Sequence, residues 1–474
     1  MSAQPHRRTL LAALVGLVGA VLLALASLAP ETAAPGGPVG LPHLLQGLRP
    51  TGTVARWLYA LGGALLVTAW LVARPGRGRR GPRTHLCLAL LWSLPLLPAL
   101  PLLSKDVWLY LDQGWQLTQG VDPYKRGLTE AGGPFAPMVS PFWAGTTAVY
   151  PPLALRLGQL AVTLGQADPY WSVVALRLPL LLGLVLVGVL LPRLARWAGA
   201  DPAYAAWVGL SSPAVLLAGI GGAHHDMTAA VFGVLVIWLA AQGRGWAAAA
   251  ALALAVAVKQ PAAVLGLPMV LILLGEVGDR RGVRPAVSWG MLLARLAAWG
   301  TVTVLAFAAV SVLFGLGFGW TTALDVPRAG STYAPGALLW QLVRRVTGGP
   351  SDYPAAMASV VQLLGVALLV WLLVRARHGG AMRLAWLAPL AVALTSPALW
   401  PWYLLPVLVL LGADRLGARG REAGVGTVLA LTVAQLAKES AGYGLGLGLW
   451  GALGLAAAAA LLWWLSVRRH SVKG

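Results

Sequence analysis

Apolar runs of bilayer length recur along the whole 474-residue chain, and that repetition restricts it to one architecture. A helix needs about 20 apolar residues to cross the hydrocarbon core. Only helices and closed barrels satisfy every backbone polar group there. Spans are expected at about 9–29, 55–73, 86–103, 172–191, 203–219, 227–241, 246–258, 261–275, 288–313, 355–374, 383–398, 402–413, 424–440 and 446–467. The expectation is an all-α polytopic membrane protein of about fourteen crossings, several of them short, forming one integral-membrane domain over residues 1–474. No internal repeat, soluble domain or low-complexity tail is visible. The first apolar run, Thr9 to Leu28 behind Arg7-Arg8, is long for a cleaved leader and reads as a retained first helix.

Charge sets the orientation. The formal net charge of +20 would suit a polyanion partner, but the basic residues sit in short loops between spans. That pattern records the positive-inside rule and argues against nucleic acid. One set of alternating loops holds most of the arginines, from Arg7 and Arg8 through Arg74, Arg77, Arg79, Arg80 and Arg83 to Arg468 and Arg469. This side is expected to be cytoplasmic, with both termini. The opposite loops collect Glu31, Asp106, Asp112, Asp122, Glu130, Asp168, Asp226, Asp325, Asp352 and Glu439. Cys87 is the only cysteine, which excludes an intrachain disulfide and a cysteine metal cage.

The longest loop on the acidic side runs over residues 104–171. It opens Ser104-Lys105-Asp106-Val107-Trp108 and continues through Asp112, Asp122-Pro123-Tyr124 and Tyr150-Pro151-Pro152. Leu153 to Gly165, apolar on one face, reads as an interfacial helix. Lys105 and Asp106 alone would pass as a helix-end charge pair facing headgroups. Their polar and aromatic neighbours make the alternative attractive: a carboxylate at an apolar boundary has a raised pKa and accepts protons well. Asp106, Trp108 and Asp112 lie within two helical turns and are expected to line one groove, while Asp122-Pro123-Tyr124 makes a turn with a ring suited to a sugar.

Three further clusters fall on the same side. His224-His225-Asp226 resembles a metal set, but adjacent residues diverge by about 100° on a helix, so hydrogen bonding to phosphate or sugar competes with the metal reading. Lys259-Gln260-Pro261 breaks a short helix pair, because Pro261 donates no hydrogen bond and restricts Gln260. A lysine at such a break suits an anionic ligand, and Arg328 or Arg177 could share that role, with interfacial snorkelling the plain alternative for Arg177. Trp400-Pro401-Trp402-Tyr403 is either an aromatic belt or a sugar platform.

In their order these segments resemble the actinobacterial polyprenol-phosphomannose-dependent α-1,6-mannosyltransferases of the GT-C superfamily. The residues that carry the resemblance are Ser104 to Trp108, Gln113-Gly114, Gly120 to Tyr124, Tyr150 to Leu153, Gly222 to Asp226, Lys259-Gln260-Pro261 and Trp402-Tyr403. It implies a GT-C-type bundle in the plasma membrane with an extracytoplasmic site. The donor would be a polyprenyl-phosphate mannose, and the acceptor a lipid-anchored mannoside of a lipoglycan. Asp106 would deprotonate the acceptor hydroxyl in an inverting transfer. Lys259, with His224 or Arg328, would meet the leaving phosphate. Lys105, His225, Asp226 and Gln260 complete the donor side; Trp108, Asp112, Asp122, Tyr124, Tyr150, Trp402 and Tyr403 form the sugar and acceptor side. No metal or other cofactor is expected. Arabinose or glucose donors, a lipid-linked-sugar flippase built on the broken helices, and a scaffold subunit are the competing expectations.

Overall fold

The computed structural model describes residues 3–30, 39–76, 81–275, 287–321, 333–349 and 353–439. The expected span 446–467 lies outside them, as does Arg328. The regular secondary structure of the described residues is helical, without a strand. In order the helices are α1 (Ala3–Ala26), α2 (His43–Gln46), α3 (Gly52–Val72), α4 (Pro82–Ser93), α5 (Asp106–Thr118) and α6 (Pro152–Leu164). Next come α7 (Pro169–Ala198), α8 (Pro202–Gly209), α9 (Pro213–Val215), α10 (His225–Ala241), α11 (Gly245–Val258) and α12 (Gly266–Leu273). The remainder are α13 (Trp289–Leu313), α14 (Pro335–Thr347), α15 (Ala355–Ala376), α16 (Ala381–Thr395), α17 (Leu405–Leu411) and α18 (Ala418–Ala434).

Among the described residues five helices are long and apolar enough to cross a membrane, within α1, α3, α7, α13 and α15. Pro202–Gly209 and Pro213–Gly221, bent by 44°, make a sixth if taken as one span. The expected fourteen crossings are therefore not matched by fourteen full-length helices. The expected span 86–103 is not one helix. Pro95, Pro98 and Pro101 remove donors at three-residue spacing, so α4 stops at Ser93 and a short 3-10 turn, Leu94–Leu96, gives way to irregular chain. Residues 203–219 bend at Ser211-Ser212-Pro213 and end in a π-helical turn, Leu216–Gly221. The helix expected at 153–165 is present as α6. Helix α14 was not foreseen. It is strongly amphipathic, with Leu338, Leu339, Leu342 and Val346 exposed, and a search for long apolar runs passes over it.

Helices α13 and α15 expose much of their apolar surface, the pattern of lipid-facing spans, whereas α8, α10 and α17 are mostly buried. Close contacts are made by glycine. A Cβ on Gly62 of α3 would stand 2.8 Å from the Gly19 carbonyl oxygen of α1. A Cβ on Gly114 of α5 would lie 2.4 Å from the carbonyl carbon of Gly158 in α6. Small residues at crossings let helices associate by backbone packing where apolar burial offers no driving force. The ion pairs Arg74–Glu422, Arg421–Asp201 and Arg383–Asp414 join loops that the arginine pattern assigns to one face. Trp70 and Trp207 stack at 4.3 Å, and each indole donates to the other's carbonyl, tying α3 to α8.

The Gly114–Gly158 crossing holds the helix that begins at Asp106. Gly158→Ala puts a methyl within 2.4 Å of the Tyr110 carbonyl oxygen. The two backbones must then separate, at a cost of about 1–3 kcal/mol. Thermal unfolding of the purified variant is expected to show that loss, whereas Gly426→Ala, where a Cβ meets nothing within 4 Å, leaves stability unchanged.

Candidate active site

Two irregular segments deliver the polar residues. The proline-spaced chain after α4 ends at Leu103, whose φ of 59° is left-handed. Ser104 then accepts the Asp106 backbone N–H at 3.2 Å, and Asp106 is the first residue of α5. A carboxylate at a helix N-terminus is favoured by the unpaired N–H groups there. The second segment is the π-helical turn, followed by Ala223 at φ 48°, after which His224 caps α10 and His225 and Asp226 occupy its first turn. Left-handed backbone at a non-glycine residue costs about 1–3 kcal/mol and gathers at functional sites. Leu103 and Ala223 immediately precede the polar cluster, while Thr129, Gln166 and Ala167 adopt such backbone in the long loop.

His224 Nδ1 lies 3.8 Å from Asp106 Oδ2 and 3.3 Å from the Tyr110 hydroxyl. The Tyr110 and Tyr150 hydroxyls are 3.4 Å apart. His225 packs its ring against Tyr110 at 4.0 Å and Tyr150 at 5.2 Å. His224 turns the other way and stacks on Trp402 at 3.9 Å, so the histidines diverge as their adjacency predicts. Helix α11 stops at Val258 and leaves Lys259 in extended backbone before the 3-10 turn Gln260–Leu265, the break expected at Pro261. The Lys259 amine sits 2.6 Å from both carboxylate oxygens of Asp226 and 4.0 Å from the Tyr403 ring centre. Gln260 donates to the Val149 carbonyl, pinning the end of the long loop beside the cluster.

The structure thus gathers Asp106, His224, His225, Asp226, Lys259, Gln260, Tyr150, Trp402 and Tyr403. Other expected residues lie apart. Asp112 does not share a face with Asp106, because six residues along a helix leave the two side chains about 120° apart. It is fully buried and accepts from Thr129 N–H and Gln116, holding the loop down. Trp108 is buried in the core. Asp122 accepts the Tyr124 N–H and pairs with exposed Lys125, and the Tyr124 hydroxyl donates to the Tyr150 carbonyl. Lys105 is half-buried beside Asp106. Arg177 meets only backbone carbonyls among its recorded contacts.

Two residues were missed, Tyr110 and Trp143. Tyr110 lies four residues after Asp106, the spacing that shares a helix face, and that signal was available. Trp143 hydrogen-bonds the Asp106 carboxylate from a loop without periodicity. Trp400, half-buried, stacks on buried Trp402 at 5.5 Å, so Trp400 is the more open ring of the pair.

Asp106 keeps 19% of its side-chain surface open, whereas His224 below it keeps 1%. Burial pushes the Asp106 carboxyl up to about 6 and the Asp226 charge adds to this; Lys259 and the Trp143 hydrogen bond oppose the rise. A carboxylate so placed is ionised at neutral pH yet basic enough to take a proton. Lys259 keeps 13% of its surface open and Asp226 3%. Among the described residues no three His, Cys, Asp or Glu side chains form a metal-ligand group. Open oxygen, amine and aromatic edge together suit a polar, anionic ligand at the ends of membrane helices.

Fold and site define an integral membrane protein with an acid–base centre where helices end. Residues 13–276 match the sequence model of the N-terminal domain of α-(1→6)-mannopyranosyltransferases. The chain is 31% identical to α-(1→6)-mannopyranosyltransferase A of Mycobacterium tuberculosis, covering 72% of this chain and 68% of that protein. It is 29% identical to its namesake in Corynebacterium glutamicum (67% and 68% covered) and 28% identical to a probable α-(1→6)-mannopyranosyltransferase of Mycolicibacterium smegmatis (86% and 80%). The crystal structure of ArnT from Cupriavidus metallidurans bound to undecaprenyl phosphate aligns over 81% of this chain and 75% of that one. Identity there is 18% and the TM-score 0.38, too distant to carry a fold assignment. The chain belongs to the α-(1→6)-mannopyranosyltransferase family and is a glycosyltransferase.

The buried Lys259–Asp226 pair generates a stability prediction. Removing one partner of a buried pair leaves an uncompensated charge and costs about 3–5 kcal/mol. Lys259→Met is expected to lower the unfolding temperature of the purified protein sharply. Adding Asp226→Asn to it should restore most of the loss, which a double-mutant cycle measures.

Proposed function

We propose that the chain transfers mannose from a polyprenyl-phosphate mannose to a hydroxyl of a lipid-anchored α-1,6-mannoside, with inversion, at the outer face of the plasma membrane. The observation that carries this reading is the partly open Asp106 carboxylate within electrostatic reach of the Lys259 amine. One group takes a proton, and the other meets the negative charge of a phosphate.

In this reading the acceptor hydroxyl gives its proton to Asp106 as its oxygen bonds to the anomeric carbon. The bond from that carbon to the phosphate oxygen breaks, and polyprenyl phosphate departs with the electron pair. Lys259 stabilises the developing phosphate charge in surroundings drier than water, where a fixed cation acts strongly. Asp226 holds the amine in place before the donor arrives. Trp400 and the edge of Tyr403 offer apolar surface to a sugar ring. No step requires a metal ion. The outer-face assignment is supported by the sorting of arginines into the alternate loops.

The test is transfer by purified protein in detergent or liposomes, with polyprenyl-phosphate mannose and a mannoside acceptor. Asp106→Asn is expected to lower turnover at least about a hundredfold while donor binding persists, the usual scale for losing a general base. Turnover surviving in that variant overturns the role of Asp106. Movement of lipid-linked mannose across vesicles without a new glycosidic bond would make the protein a transporter.

The pH dependence has a definite sign. Asp106 works ionised, so wild-type turnover should fall as pH drops through about 6, approaching tenfold per pH unit below it. A carboxyl at its ordinary 3.8 would leave turnover flat to well below that point. Initial rates across a buffer series at saturating donor distinguish the two.

A further inference from the structure

Arg177 lies in α7 with no solvent exposure, so it is not snorkelling to an interface. Its guanidinium has five N–H donors, and each is committed to a backbone carbonyl. Nε donates to Ile220 at 3.0 Å. One terminal nitrogen donates to Leu97 at 2.8 Å and to Ala99. The other donates to Leu100 at 3.2 Å and to Gly221 at 2.6 Å. No donor is left for a phosphate.

The five carbonyls belong to two segments only. Leu97 to Leu100 is the proline-spaced chain that runs into Leu103 and Asp106. Ile220-Gly221 is the end of the π-helical turn that runs into Ala223 and His224. The segments also meet directly, Leu102 N–H donating to the Gly221 carbonyl at 3.1 Å. Neither segment is regular helix, so these carbonyls lack helical partners, and in an apolar interior each would carry a penalty of desolvation. Past the clasp, each segment reaches a left-handed residue and then the site.

We infer that Arg177 is a positioning residue: by holding both segments in one guanidinium fork, it sets Asp106 against the His224–Asp226 turn. A lysine cannot replace it, because an ammonium has three donors and no planar fork. The inference rests on the proposed reaction only for its kinetic consequence. The geometric consequence stands by itself.

The experiment compares Arg177→Lys with wild type by two readouts. Turnover per folded molecule is expected to fall on the order of 10–100-fold, with donor KM within about twofold, since a small misplacement of reacting groups acts on the chemical step. Histidine-selective 15N NMR should show the imidazole signals of His224 and His225 shifted and the other histidines unmoved. Gly221→Ala provides a second route with Arg177 intact, because its methyl would displace the Leu102 side-chain end and stand 3.1 Å from Leu102 Cβ, shifting the neighbouring segment by a few tenths of an ångström. It should reproduce both effects, and it decides alone if Arg177→Lys does not fold. Unshifted His224 and His225 signals in a folded variant, or unchanged turnover per folded molecule, overturn the inference. A wild type that forms no mannoside sinks the proposed function instead and leaves the NMR result to judge the clasp.

Discussion

Irregular backbone inside an apolar bundle must give its carbonyls and amides to partners, and the site depends on how this chain meets that requirement. Regular helices present no side chains clustered at their ends and no open edge for a polar ligand. Breaking them creates both, along with unpaired polar groups that oil does not solvate. In this chain the breaks at Pro95-Pro98-Pro101 and at the π-helical turn are stabilised by donors from Arg177 of α7, and the break at Pro261 itself supplies a donor, Gln260, to the long loop. Arg177 supplies the largest share, and Gln260 secures the end of the long loop. The polar centre is thus a consequence of broken helices whose loose ends have been tied.

Charge is managed in the same spirit. Two carboxylates, one amine and two imidazoles share a small volume, and their mutual arrangement determines which remains reactive. Asp226 is sealed and spent on Lys259, so its charge is already balanced. Around Asp106 the contacts are looser: His224 stands 3.8 Å away and Trp143 donates one hydrogen bond. The less satisfied carboxylate is also the more open one. Such asymmetry between two neighbouring acids is what separates a reactive group from a structural one.

Much of this was legible in the chain, and the limits follow from physics. Asp106, the His224–Asp226 turn, Lys259 and Trp402-Tyr403 stood out because polar groups and proline are conspicuous in an apolar background. Tyr110 was overlooked although helical spacing places it above Asp106, because attention went to charge before ring. Asp112 misled for the opposite reason: it carries charge, but it faces away and serves the loop. Trp143 reaches the site by folding of a segment that has no periodicity to read. The span at 86–103 failed because hydropathy counts prolines as neutral, whereas the backbone does not. Arg177 was weighed as a phosphate ligand, since a sequence shows a cation but not the carbonyls that gather round it.

Gly114 and Gly158 leave no side chain between α5 and α6. A crossing of bare backbones has no adjustable spacer, so its angle and separation cannot be altered by swapping one apolar residue for another. The helix that begins at Asp106 is thereby fixed to its neighbour as rigidly as a hinge welded shut. Any diversification of substrate within such a scaffold has to come from the loop between residues 119 and 151 or from the aromatic edge opposite, where side chains still intervene.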